Sequence, residues 1–167
     1  MPEEKTLVLN HKQIQQKITR IAHQIYENNF QESELYLIGI ENRGSILSER
    51  LFHLLKDITP LKVYHHTISL NKDEPLKDDM VCSISLEELD GKNIVLIDDV
   101  LNTGKALIYA AKHFLRACPK SMQTVALIDR RHRNFPIRAD YVGLTLATTL
   151  QEHISVEFGE EDVAYLE

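Results

Sequence analysis

Short, nearly continuous apolar runs, spaced by stretches with helical periodicity, constrain this chain more than any other feature. They are LYLIGI at 35–40, NIVLI at 93–97 and the centre of MQTVALIDR at 122–130. A strand apolar at consecutive positions has no side to show to water, so each must be covered on both faces. The material between them suits that need. Ile14, Ile18, Ile21 and Ile25 recur at helical spacing within 10–29. Ser45 can cap a second helix through Leu47, Leu51, Leu54 and Leu55, after the polar segment Glu41, Asn42, Arg43 and Gly44. A third spans 105–115, with Ala106, Leu107, Ala110, Ala111 and Phe114 on its apolar side, before the stop at Cys118 and Pro119. Alternating strands and helices predict an α/β fold with a central parallel sheet flanked by helices. LKVYHHTISL at 61–70 adds a mixed strand, and DYVGLTLA, ISVEF and VAYLE predict a small β-rich hood. The polar, aperiodic 71–90 reads as a flexible lid loop, with room for a hairpin.

At 167 residues, 43% of them hydrophobic, the expectation is a single domain spanning 1–167. The net charge of -6 argues against sequence-independent attachment to nucleic acid or anionic membrane. Cys82 and Cys118 are far apart and outside any CxxC spacing, so they read as free thiols in a reducing compartment. No window approaches the roughly 18 apolar residues of a membrane span, and the expected location is cytoplasmic. His65 and His66 cannot easily share a metal, because adjacent side chains on a strand face opposite ways.

Chemistry concentrates in NIVLIDDVLNTGKAL, 93–107. Ligands of open parallel sheets sit beyond the carboxyl ends of strands, where Asp98 and Asp99 fall. Leu101, Asn102, Thr103, Gly104, Lys105 and Ala106 then lead into a helix N-terminus, whose free N–H groups and dipole favour a phosphate. Two carboxylates beside a phosphate cradle make sense if they accept hydrogen bonds from ribose hydroxyls while the loop holds the 5′-phosphate. A lone pair of aspartates would more often simply complement a helix dipole.

VLIDDVLNTGKAL resembles the phosphoribosyl pyrophosphate loop of the type I phosphoribosyltransferases, four apolar residues, two acids, two apolar residues and a Thr-Gly segment. Within that family the chain is most similar to the bifunctional pyrimidine operon attenuator and uracil phosphoribosyltransferase proteins. The likeness includes ITRIAHQIYE, LIGIENRGSILSERL, DEPLKDDM and LIDRRHRNFPIRADYVG. It implies transfer of ribose 5-phosphate from phosphoribosyl pyrophosphate to a nucleobase, most simply uracil, with Mg²⁺ bound to the donor. It also implies residue roles. Asp98 and Asp99 would bind the ribose hydroxyls, and residues 101–106 the 5′-phosphate. Asn42, Arg43 and Gly44 would hold pyrophosphate, and Asp129 and Arg130 would meet pyrophosphate and the waters of Mg²⁺. Asp98, Asp99 and Asp129 would act on the metal only indirectly.

Several letters depart from the family pattern. Asn102 stands where purine-specific relatives carry an Asp, and an amide cannot accept a base proton, which disfavours purine salvage. Ala106 lacks a hydroxyl donor worth about 1 kcal/mol. Lys72 offers a point charge where the lid of relatives has an Arg, and Leu144 and Ala147 replace a Lys and a Pro. The relatives also bind RNA through the basic face of a dimer, and Thr19, Arg20, His23, His132, Arg133 and Arg138 match positions of that face. A homo-oligomer is therefore expected. RNA binding is disfavoured by the charge balance and stands as an alternative to catalysis.

Overall fold

Asn10 starts the first helix, α1 (His11–Asn29), with a reciprocal cap. Its side chain accepts from Gln13 N at 2.9 Å, while the Gln13 side chain accepts from Asn10 N at 2.9 Å. Asn10→Ala is expected to cost about 1 kcal/mol, a fall of roughly 2–4 °C in the thermal unfolding midpoint. An unchanged midpoint would show that packing alone sets this end.

The computed structural model describes residues 4–167. After β1 (Thr6–Leu9) and α1 come β2 (Glu34–Ile40), α2 (Arg43–Ile58), β3 (Lys62–Ser69) and β4 (Val81–Cys82). A single 3₁₀ turn, Glu87–Leu89, precedes β5 (Asn93–Leu101) and α3 (Lys105–Leu115). The chain continues through β6 (Ser121–Asp129), β7 (Tyr141–Thr145), β8 (Ile154–Glu157) and β9 (Val163–Leu166). Six strands form the main sheet in the order β4-β3-β2-β5-β6-β7, parallel throughout except for β4.

The apolar runs are covered on both faces, as their composition requires. Along β2, Leu35 and Leu37 meet Ile14, Ile18 and Ile21 of α1 and Leu47 and Leu51 of α2. Tyr36, Ile38 and Ile40 alternate to the other side, with Leu107, Ala110 and Phe114 of α3. The sequence order reverses between β2 and β5: α2 carries the chain from β2 outward to β3, and α3 carries it from β5 outward to β6. A crevice opens beyond the carboxyl ends of strands at such a switch point.

Three boundaries differ from the sequence reading. Helix α2 begins at Arg43 rather than Ser45, because the Ser45 hydroxyl donates back to Asn42 O at 2.6 Å from inside the first turn. Strand β5 runs on to Leu101, since its ladder with β6 continues through Asp98↔Ala126 and Leu101↔Asp129. Asp98 and Asp99 thus belong to the strand itself. The third difference is β1, too short to be legible, which pairs antiparallel with β9 and joins β8 in a three-stranded sheet. The expected hood is therefore assembled from both ends of the described chain, without DYVGLTLA, whose strand β7 instead pairs parallel with β6 at the edge of the main sheet.

Asp162 anchors this small sheet to the main body and is fully buried. It accepts from Gln15 Nε2 at 2.5 Å, from Gly159 N at 3.0 Å and from Arg50 Nη1, and its own N–H donates to His11 Nδ1 at 2.9 Å. Burial works to raise its pKa, but the hydrogen bonds from Arg50 and Gly159 outweigh it and hold the carboxyl below its ordinary value. Among the described residues, no helix is long and apolar enough to cross a membrane.

Candidate active site

The end of β2 and the end of β5 meet at one cleft of about 490 Å³. Arg43, from the first turn of α2, lines it from the β2 side. Asp98, Asp99 and residues 101–107 line it from the β5 side, Lys72 and Asp73 reach it from the lid, and Ile154 from the hood. Gly44 makes this convergence possible, since a Cβ on it would lie 2.8 Å from Ile97 O and 3.1 Å from Asp98 Cα. Only a residue without a side chain lets α2 start this close to β5.

Asp98 and Asp99 are only 5% and 7% exposed. Asp98 Oδ1 accepts from Asp99 N at 2.9 Å and faces Lys72 Nζ at 3.4 Å. Burial, then the charge of Asp99, pushes the Asp98 pKa up to about 8, against the pull of Lys72. Two adjacent carboxylates kept from water and poorly neutralised are expensive to maintain, which marks them for a ligand rather than for stability.

Beyond them, Gly104 takes φ 87°, a left-handed conformation that suits glycine. A Cβ there would also lie 2.6 Å from Ile137 Cγ2. This turn brings the chain into α3, whose first N–H groups have no partner within the helix. Thr103 Oγ1 accepts from Lys105 N at 3.2 Å, and Thr103 O accepts from Asn134 N and Phe135 N, so the β6–β7 loop braces the cradle. Lys105 Nζ donates to Asp73 O at 2.6 Å, joining the cradle to the lid. The lid is shaped by Asn71, whose side chain accepts from Asp73 N and Glu74 N and donates to Asp78.

Of the residues singled out from sequence, Arg43, Asp98, Asp99, Leu101, Asn102, Thr103, Gly104, Lys105 and Ala106 line this one cleft. Gly44 lies buried beneath it and Asn42 immediately before α2, where the Glu41–Asn42 peptide is cis. Asp129 and Arg130 are not among the lining residues. The Asp129 carboxylate accepts from Arg131 N at 2.9 Å and pairs with Arg133 at 3.3 Å, while the Arg130 guanidinium turns into the hood. Ile154 was missed, since ISVEF signals a strand but not what that strand overhangs.

The expected RNA-face residues divide. Thr19, Arg20 and His23 share a shallow groove on α1 with Lys12, Gln15 and Gln16. Arg20 Nη2 donates to Val142 O and Gly143 O, each at 2.8 Å. His132 is engaged with Arg130 and Thr148 O, Arg133 with Asp129, and Arg138 lies 3.9 Å from Asp140. His65 and His66 do face opposite sides, His65 stacking on Phe52 and His66 meeting Ser83 Oγ at 3.2 Å. Burial lowers the pKa of both.

Among the described residues, no three His, Cys, Asp or Glu side chains could hold a metal together. Two hard carboxylates at the rim of an anion cradle suit Mg²⁺ that arrives on substrate phosphates and keeps its waters, rather than one caged by protein.

Residues 6–162 match the family model for the phosphoribosyl transferase domain. The bifunctional protein PyrR of Clostridium acetobutylicum is 38% identical over 95% of this chain and 94% of its own length. The pyrimidine operon regulatory protein of Lactococcus lactis is 36% identical over 87% of this chain and 85% of its own. In fold, the hypoxanthine phosphoribosyltransferase of Trypanosoma cruzi superposes with a TM-score of 0.77 at 20% identity, covering 89% of this chain and 84% of that one. A parallel sheet with its cleft at the β2/β5 switch point, a family match along most of the chain and relatives this similar lead to one assignment: the chain belongs to the type I phosphoribosyltransferase family.

Proposed function

We propose that this protein transfers ribose 5-phosphate from phosphoribosyl pyrophosphate to uracil, releasing pyrophosphate. The observation that carries the reading is the single cleft in which a buried carboxylate pair, a helix N-terminus and Arg43 converge. Asp98 and Asp99 accept the ribose hydroxyls, the turn at residues 101–106 takes the 5′-phosphate through backbone N–H groups, and Arg43 meets the leaving diphosphate. Bound to the donor's phosphates, Mg²⁺ would supply charge neutralisation there. As the glycosidic bond to pyrophosphate breaks, positive charge grows on the ribose, and the buried carboxylates lie on the side where it is stabilised. Lys72 and Asp73 of the lid border the same cleft, which supports a role for the lid in excluding water.

Uracil is preferred because Asn102 has no basic atom for a purine proton and because relatives carry pyrimidine-related names. A panel of bases with phosphoribosyl pyrophosphate and Mg²⁺ tests this directly. Pyrophosphate release with uracil is expected; release with hypoxanthine alone would replace the pyrimidine reading.

The name of the Lactococcus lactis relative also supports a second reading, a regulator of a pyrimidine operon, for which we infer RNA as the ligand. The α1 groove containing Thr19, Arg20 and His23 is its candidate surface, with a homo-dimer extending it. Because Arg20 also ties α1 to β7, Lys12→Ala is the cleaner probe. If the groove contacts phosphates, RNA affinity should fall and the salt dependence should flatten by about one counterion. No measurable RNA binding at physiological salt would exclude this role.

A further inference from the structure

Arg130 is a buried guanidinium, 7% exposed, just past the end of β6. Its Nε donates to Thr148 Oγ1 at 3.1 Å, and its Nη2 lies 3.2 Å from Thr149 O and 2.6 Å from Glu152 O. Nη2 also lies 3.1 Å from His132 Nδ1, whose ring bonds Thr148 O through its other nitrogen. These contacts fix the hood turn 148–152, which is closed on itself by Thr149 N donating to Glu152 Oε2 at 3.0 Å. On its opposite side, Nη1 donates to Asn102 Oδ1 at 3.2 Å, inside the phosphate cradle.

One side chain therefore bridges two parts of the cleft that share no strand. The cradle at Asn102 leaves β5 at the switch point, while the hood turn leads directly into Ile154, the hood residue that lines the cleft. His132 packs into the same bridge, with Nδ1 3.1 Å from Arg130 Nη2 and Nε2 against Thr148 O. A guanidinium committed in this way has little left for a leaving group, and the cleft already has Arg43 for that purpose.

We propose that Arg130 is a positioning residue that ties the hood turn 148–152 to the phosphate cradle at Asn102, setting the hood side of the cleft relative to the donor. Its fork is the operative feature. A Lys at this position would retain the charge but could not reach Thr148, Asn102 and the two carbonyls together. Because Ile154 is the hood's contribution to the cleft lining, base binding is the step most exposed to loss of the tie. This inference rests on the phosphoribosyltransferase reading above.

The test compares the parent with Arg130→Lys, Arg130→Met and Thr148→Val. Pyrophosphate release is measured while uracil and donor are varied in turn, and amide hydrogen exchange is followed at residues 102–103 and 148–152. Both Arg130 variants are expected to raise the KM for base at least about 10-fold while donor affinity stays within about threefold. Exchange should quicken in both segments together. Thr148→Val, which removes one acceptor and leaves Arg130 in place, should raise the KM for base about fivefold. A merely structural role would lower the active fraction and leave KM alone. The inference is overturned if Arg130→Lys behaves as the parent, or if pyrophosphate product affinity falls while the KM for base holds. Should the Arg130 variants not fold, an unchanged KM and unchanged exchange in Thr148→Val overturn it equally. If the parent releases no pyrophosphate with any base, the functional reading fails by itself, and coupled exchange of the two segments still decides whether the tie exists.

Discussion

Asp98→Asn is expected to lower turnover roughly 100-fold while making the ligand-free protein more stable at high pH. The loss follows from replacing a carboxyl group by an amide that offers one acceptor and one donor group, so the ribose hydroxyls lose an acceptor and the charge-assisted bond that Asp98 makes once it ionises. The gain in stability follows from linkage. The Asp98 pKa is about 8 in the folded protein, raised by burial and then by Asp99, against 3.8 unperturbed. Between those values the folded state holds a proton that the unfolded state has released. Stability therefore falls as pH rises from about 4 and levels off above about 8. An Asn there carries no such penalty. Thermal unfolding of parent and variant at pH 5 and pH 9 should show the advantage of the variant growing with pH, alongside steady-state pyrophosphate release at pH 7.5. Unchanged kinetics together with a pH-independent difference would reduce the pair to a helix-dipole partner.

Gly44→Ala is expected to cut kcat/KM by a similar factor, roughly 100-fold, by displacing Arg43 rather than by removing any functional group. The added Cβ would lie 2.8 Å from Ile97 O and 3.1 Å from both Asp98 Cα and Asp98 Oδ1. Every residue of β5 is buried and the strand is paired with both β2 and β6, so it is the less able of the two to yield. The first turn of α2 must lift away, taking the Arg43 guanidinium from the diphosphate position. An overpacking cost of about 1–3 kcal/mol should accompany it, visible in denaturant unfolding. Wild-type kinetics in a folded Gly44→Ala protein would mean that Arg43 does not depend on this close approach.

Much of this architecture was legible because burial on both faces leaves a mark in composition. LYLIGI, NIVLI and MQTVALIDR could be strands of a covered sheet and little else, and α3 was read at its observed bounds because Gly104 and Lys105 open a clean apolar stripe. The cleft was legible for a related reason. One wall of it is a contiguous segment, 98–106, whose acids, Thr and Gly can be read without knowledge of neighbours. β1 was not legible, since four residues gain strand character only by pairing with β9. Nor was the true start of α2, where Ser45 looks like a cap but turns its hydroxyl back to Asn42.

By itself, then, the sequence determined most of the elements and their parallel arrangement and pointed to the segment that lines the cleft, because each rests on periodicity or on residues adjacent in the chain. Tertiary structure decided which charges face the cleft. Arg43, Lys72, Arg130 and Arg133 are all cations near loops, yet Arg43 and Lys72 line the site, Arg130 is committed to the hood and Arg133 to Asp129. The direction of a long side chain depends on acceptors supplied by distant segments, here Thr148, Thr149 and Glu152 for Arg130. Local sequence carries no record of those acceptors, and only the folded chain brings them within hydrogen-bonding reach.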